Sequence, residues 1–229
     1  MATQMSDLIR SSAFDFEYPV GDITQGKLLV LNGASKLKLG SSVTMPQLVR
    51  ARFERPHPDV ELQDGNVLIR YPSYSLLNWL VYWRQPMADL TLNASIPWNI
   101  EGRGGVSSFQ ADLSQIHLQG INLQGGVSHF WAKLPEPSGS VTVRIVGGVS
   151  QMALFRPTGI PVRIQIRGGV GSLKLDEQHF GSMGNLPTLE TPGYNEAVNR
   201  YEIQITGGVS NITIDTLAPG NRESGRRLE

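Results

Sequence analysis

The 229-residue sequence predicts an all-β fold: a single-domain β-solenoid, right-handed and β-helix-like, built from about six to seven Gly-Gly repeats of 21–22 residues. Three observations predict it. Gly-Gly pairs stand at Gly104-Gly105, Gly125-Gly126, Gly147-Gly148, Gly168-Gly169 and Gly207-Gly208, with steps of 21, 22, 21 and 39 between first glycines. Apolar and polar residues alternate on both sides of each pair, the signature of two half-buried strands per repeat. No window carries a convincing helical period.

Taken in chain order, the first copy is Asn32-Gly33-Ala34-Ser35, with Val30 and Leu28 before it and Leu37 and Leu39 after it. Asn replaces Gly there, an exchange that a left-handed backbone permits. A further, weaker copy centres on Asp64-Gly65, between Val60/Leu62 and Ile69/Tyr71. The Gly104 copy is preceded only by Ile100 and Gly102. The others carry full sets, such as Ile121/Leu123 before and Phe130/Ala132 after. The fourth pair continues Val170-Gly171 where the other Gly-Gly pairs continue Val-Ser. Two irregular insertions interrupt the pattern, over residues 71–89 and 177–200. The second is rich in Gly and Pro and reads mostly as loop, with a short helical turn near Asn195 to Arg200 as the best chance of helix. The domain is expected over residues 1–218. Residues 219–229 read as a frayed polar tail whose last two residues match a cloning remnant.

A strand, Gly-Gly, strand unit can be a hairpin with a two-residue turn. It can also be a corner of a coil whose strands pair in parallel with those of the next coil. The hairpin would put Val106, Val127, Val149, Val170 and Val209 on the polar face, whereas a corner can turn them inward. The valines and the near-constant period favour the corner. Glycine in both positions suggests a special backbone throughout the pair. On that reading, valine at Gly148 or Gly169 should cost roughly 1–3 kcal/mol or more.

Composition narrows the function classes. Lys plus Arg equals Asp plus Glu at 20 each, which argues against a nucleic-acid partner. There is no cysteine, so disulfides, thiol nucleophiles and thiolate metal sites are excluded. The longest strongly apolar stretch, Leu76 to Trp83, is too short to span a bilayer. Residues 1–10 lack the order of a secretory signal. A soluble, cytoplasmic protein is the expectation.

The run VTVRIVGGVSQMALFRPTGIPVRIQIRGGVGSLKL (residues 141–175), followed by YEIQITGGVSNITID (residues 201–215), resembles the toast-rack group of β-solenoids. That group includes bacterial adhesin-like domains and the C-terminal domains of LiaF-type envelope-stress proteins. The likeness is clearest over Trp98 to Ile214 and weaker over Leu28 to Tyr71. It implies a bacterial, non-enzymatic repeat protein acting in envelope sensing, scaffolding or adhesion, and it brings no catalytic or ligand residues. LiaF-type proteins carry N-terminal membrane helices, which this sequence does not show.

The strongest candidate contact is the aromatic insertion, with Tyr74, Trp79, Tyr82 and Trp83 as anchors for a protein partner or for self-association. The same cluster could instead cap the solenoid or touch a membrane surface peripherally. Ser35, Ser107, Ser128, Ser150 and Ser210 form a second pattern. Serines beside tight turns usually bond local backbone, though a row of hydroxyls could also meet a glycan. Asp112, Asp176 and Asp215 recur at one offset, with Lys133 among them, and read as a solvated face. His57, His117, His129 and His179 show no metal spacing. Gly102-Arg103-Gly104-Gly105 lies between two strands rather than before a helix, so it is no dinucleotide site. No cofactor or metal is expected. A self-assembling scaffold and, more remotely, a glycan-active enzyme are the alternative readings.

Overall fold

The computed structural model describes residues 13–72, 87–184 and 188–217. Among them are nineteen strands in two sheets, of ten and nine strands, and no helix. Seven coils each send one strand through the nine-stranded sheet and the next through the ten-stranded sheet. In chain order they are β2 (Gly26–Leu31) with β3 (Ala34–Ser42), β6 (Asn66–Arg70) with β7 (Met87–Asn93), and β8 (Pro97–Arg103) with β9 (Val106–Asp112). Then come β10 (His117–Gln124) with β11 (Val127–Lys133), β12 (Ser140–Val146) with β13 (Val149–Pro157), β14 (Val162–Arg167) with β15 (Val170–Leu175), and β18 (Arg200–Thr206) with β19 (Val209–Leu217).

Equivalent strands of neighbouring coils pair in parallel, which decides for the corner over the hairpin. Ile121 stands opposite Val143, Val143 opposite Ile203, and Ile203 opposite Ile164. On the other sheet Ala34, Val106, Val127, Val149, Val209 and Val170 form one ladder. The five valines turn inward and are at most 4% exposed. The alternating apolar residues of both sheets meet in one core cluster. Each Val, Leu, Ile, Met or Phe side chain among them contributes about 1.5–3 kcal/mol on burial.

Asp64-Gly65 is not a corner. It is the two-residue turn of an antiparallel hairpin between β5 (Asp59–Gln63) and β6, and both turn residues have positive φ (49° and 80°). Such a turn matches the twist of paired antiparallel strands.

The coils do not stack in chain order. In the nine-stranded sheet β6 lies outside β2, and at the far end β18 lies between β12 and β14. The ten-stranded sheet repeats both exchanges, with β7 outside β3 and β19 between β13 and β15. Numbered along the chain, the coils stack 2-1-3-4-5-7-6. Each end therefore holds an inverted pair, and antiparallel strands close both ends. β1 (Phe14–Pro19) and β4 (Gln47–Phe53) extend one edge, with β5 beside them in the other sheet. At the far end β16 (Gln178–Phe180) pairs with β15 and β17 (Leu189–Glu190) with β14.

The insertion over 177–200 is thus more ordered than its composition suggests. It supplies β16 and β17, and Met183 bridges to Val170. The expected helical turn is absent: the chain makes a turn over residues 192–196. Tyr194 anchors it in the core, with the guanidinium groups of Arg163 and Arg200 stacked 4.3 and 4.9 Å from its ring centre. The 71–89 insertion is shorter than expected, since Tyr71 is fully buried and β7 begins at Met87. Residues 73–86 lie outside the described residues.

The weakness of the Gly104 copy also has a structural cause. A Cβ on Gly102 would meet Leu123 at 2.9 Å, and one on Gly26 would meet the Trp98 ring at 2.7 Å. Trp98 fills that space, fully buried, and its Nε1–H donates to the Asn93 carbonyl at 2.7 Å. Trp98→Ala should lose about 3–5 kcal/mol, read from urea denaturation.

Candidate functional site

The Gly-Gly corners line up along one long edge of the stack. The first glycine of each pair has φ between 109° and 153°, a region closed to side chains. It also passes hard against the neighbouring coil. A Cβ on Gly125 would lie 2.6 Å from the Gly104 carbonyl, and one on Gly147 would lie 2.6 Å from that of Gly125. The amides knit the coils together: Gly104 N–H donates to Gln124, Gly125 to Val146, Gly147 to Thr206 and Gly207 to Arg167. Asn32 takes the corresponding place with φ 65°, as its exchange for glycine suggested, and its Nδ2–H donates to the Tyr71 carbonyl at 2.7 Å.

The second glycines differ. Gly105, Gly126, Gly148, Gly169 and Gly208 have ordinary φ, and an added Cβ would sit 3.4–3.9 Å from its nearest neighbour. The expectation that valine at Gly148 or Gly169 meets a forbidden backbone is therefore corrected: the constraint belongs to the first glycine. Gly171 replaces serine in the fourth copy because a Cβ there would lie 2.5 Å from the Ser210 carbonyl.

Beside these glycines the Val-Ser residues line a shallow groove of about 800 Å³ running across five coils. The Ser107, Ser128, Ser150 and Ser210 side chains are exposed, and none makes a hydrogen bond among the described residues. The expected bonds to local backbone are not made; the first-glycine amides and second-glycine carbonyls beside them are instead bonded between coils. The N–H groups of Gly105, Gly126, Gly148 and Gly208 also find no acceptor among the described residues. This edge is a line of free donors.

The opposite edge carries paired charges. Arg156, 3% exposed, donates bidentately to Asp176 at 2.8 and 2.7 Å, and its Nε–H donates to the Ile160 carbonyl. Lys174 Nζ lies 2.6 Å from Asp215. The two aspartates are thus more than the solvated face expected of them: Arg156 on β13 reaches Asp176, just past β15, across the intervening β19. Asp112 fits the expectation, with Lys133 4.0 Å away and Ser114 bonded to its carboxylate. A second depression of about 900 Å³ lies here, lined in part by Arg156, Asp176, Glu190 and Asp215. Three of its carboxylates are held by cations, since Arg163 holds Glu190. Partial burial raises the Asp215 pKa, but the Lys174 hydrogen bond, the Thr216 N–H and the Lys174 and Arg156 charges outweigh it and hold the group below its ordinary value.

Tyr74, Trp79, Tyr82 and Trp83 lie outside the described residues. Their segment joins β6 to β7, the step that a glycine corner makes in other coils. His57 packs against Phe14, while His117, His129 and His179 are exposed and separate. No group of metal-binding side chains occurs among the described residues.

Residues 15–155 match the family of the N-terminal domain of toast_rack, DUF2154. The chain belongs to this toast_rack family. The match takes in the stretch from Leu28 to Tyr71, where the resemblance was weaker to the eye. A crystal structure of a proposed cell adhesion protein from Clostridium sporogenes has the same fold, with a TM-score of 0.69 and 23% identity over 90% of this chain and 99% of the other. No curated protein matches the sequence.

Two measurements check the toast_rack geometry. Gly147→Ala should lose roughly 2–5 kcal/mol, whereas Gly148→Ala should stay within about 0.5 kcal/mol of wild type; equal losses would refute the assignment of strain to the first glycine. The second concerns acid. Because the folded pKa of Asp215 is depressed, its contribution is present above the unfolded value of about 3.9 and is lost as pH falls through the folded one. Asp215→Asn should flatten the fall in stability below about pH 4 in acid titrations followed by circular dichroism.

Proposed function

We propose that this chain is a non-enzymatic interaction module that recognises a partner along its repeat-built surface, in adhesion-like recognition or envelope-stress signalling. The observation that carries the reading is the free-donor edge. Four exposed serines and four unbonded glycine amides recur in register at one-strand intervals. The coil does not require them, because the second glycines have room for a side chain. An edge kept bare in this way admits a partner to the backbone itself. Toast_rack membership and the fold shared with the clostridial protein support the same reading.

The carboxylates of the opposite edge support a structural role there rather than glycan hydrolysis. Asp176, Asp215 and Glu190 are each paired with a cation, and the Asp215 carboxyl is held below its ordinary value, whereas a general acid needs a raised pKa. The scaffold reading draws on one observation: β1 is a six-residue edge strand that leaves Phe14 and Tyr18 40% and 39% exposed. Such a strand can pair with another chain. Self-assembly through it would appear in light scattering as a mass that rises with concentration and falls back in Phe14→Ser/Tyr18→Ser.

Sedimentation with purified bacterial cell envelopes tests the main reading. Wild type should co-sediment. Ser128→Tyr/Ser150→Tyr, which fills the groove without touching the core, should lose binding at least tenfold at an unchanged melting temperature. Absence of co-sedimentation, or binding indifferent to the filled groove, overturns it.

A further inference from the structure

The outer face of the nine-stranded sheet carries a second periodic feature beside the Gly-Gly edge. From one end, its parallel strands run β6-β2-β8-β10-β12-β18-β14. Arg70 is on β6, Arg103 on β8, Arg144 on β12 and Arg167 on β14. An arginine therefore stands on every second strand, with β2, β10 and β18 between them. Arg70, Arg103 and Arg167 end their strands in one cross-strand row, with Leu31, Gln124, Val146 and Thr206 between them. Arg144 stands two residues back from Val146 on the same face. Neighbouring arginines are thus two strand spacings apart, about 10 Å, and the whole line runs roughly 29 Å.

All four side chains are exposed. Arg103, Arg144 and Arg167 have no ion-pair or hydrogen-bond partner among the described residues, and Arg70 has only a 3.6 Å contact with Glu61. Along the seven parallel strands no carboxylate stands in the arginine row; the one acid at its end is Asp59 of β5, opposite Arg70. In the row behind it the acids are Glu101, which Lys27 neutralises at 2.8 Å, and Glu61 of β5, the group 3.6 Å from Arg70. Unpaired, regularly spaced guanidinium groups next to a line of free donors make a one-dimensional site for anionic groups.

We propose that this strip binds a linear acidic glycan, lying across the strands, with a carboxylate on every second sugar. The inference deepens the interaction-module reading and rests on it. An extended pyranose unit advances by close to one strand spacing, so alternate sugars fall opposite successive arginines. Between the charges, Gln124, Thr206, Asn122, Gln165 and Gln204 offer groups that suit sugar hydroxyls. The Asn122 side-chain Oδ1 is buried and has no partner among the described residues. A nucleic acid would want aromatic platforms for its bases, and the row holds none. A membrane surface would want a large protruding apolar or aromatic group, whereas the apolar members of the row are Val146, 37% exposed, and the half-buried Leu31.

Calorimetric titration of the full chain with hyaluronan, which carries a carboxylate on every second sugar, tests the proposal. Binding should be measurable at low salt and weaken as salt is added. Arg103→Ser/Arg167→Ser should weaken it at least tenfold with unchanged circular dichroism and melting temperature. Lys133→Ser on the opposite edge should leave it unchanged. The proposal is overturned by an absence of hyaluronan binding, by an affinity unaltered in the double variant, or by arginine-dependent binding confined to phosphatidylserine vesicles or single-stranded DNA. If hyaluronan binding fails while groove-dependent sedimentation with envelopes persists, the glycan assignment falls and the interaction module stands.

Discussion

The close passage of one coil's corner over the next governs this structure. At each first glycine the backbone has φ above 100° and lies so near the adjacent carbonyl that a single carbon would not fit. That contact sets the coil spacing at the corner and aligns the amides for the coil-to-coil bonds. It also turns the following valine into the core. The two parallel sheets keep their register because five of the seven coils are pinned at this same point. The neighbouring serines face outward and, like the second-glycine amides beside them, make no hydrogen bond among the described residues.

The ends of a stack face a different problem, since the last coil has no neighbour to complete its ladders. Here each end exchanges two coils. The seventh coil in the chain sits between the fifth and the sixth, and the Arg156–Asp176 pair closes over it. A guanidinium this buried is tolerable only with its charge and donors satisfied, and Asp176 together with the Ile160 carbonyl satisfies them. Short antiparallel strands then finish both sheets. β16 and β17, of three and two residues, leave little edge for another chain to join, whereas β1 leaves six residues. The two ends are therefore unequal in their capacity to associate.

Much of this was legible because each repeat reports the same local chemistry. Val106, Val127, Val149, Val170 and Val209 stand at one offset, and only a corner could bury all five. Asn32 at the glycine position pointed to a left-handed backbone, which it has. Other readings failed where a local pattern has two solutions. Asp64-Gly65 carries the same alternation as a corner but folds as a hairpin, because antiparallel and parallel partners both satisfy period two. The Gly-Gly pair looked uniform, yet one glycine is forced by contact with the next coil and the other is not. The serines looked satisfied by nearby backbone, but the carbonyls there accept from other coils and the hydroxyls point outward. Asp176 and Asp215 looked solvated because their partners, Arg156 and Lys174, come from other strands.

The sequence by itself determined the solenoid, its period, its inward and outward faces and the alignment of its corners. All of these follow from the side-chain period of a strand and the conformational freedom of glycine. The tertiary structure alone decided the order in which the coils stack. In chain order the arginines fall on the second, third, fifth and sixth coils, two adjacent pairs with a gap between them. Exchange of the end coils moves them to the first, third, fifth and seventh places, and only then do they fall on every second strand. No local signal carries that order, because every coil presents nearly the same ladder to either neighbour. It is settled by the caps and by the cross-coil pair between Arg156 and Asp176.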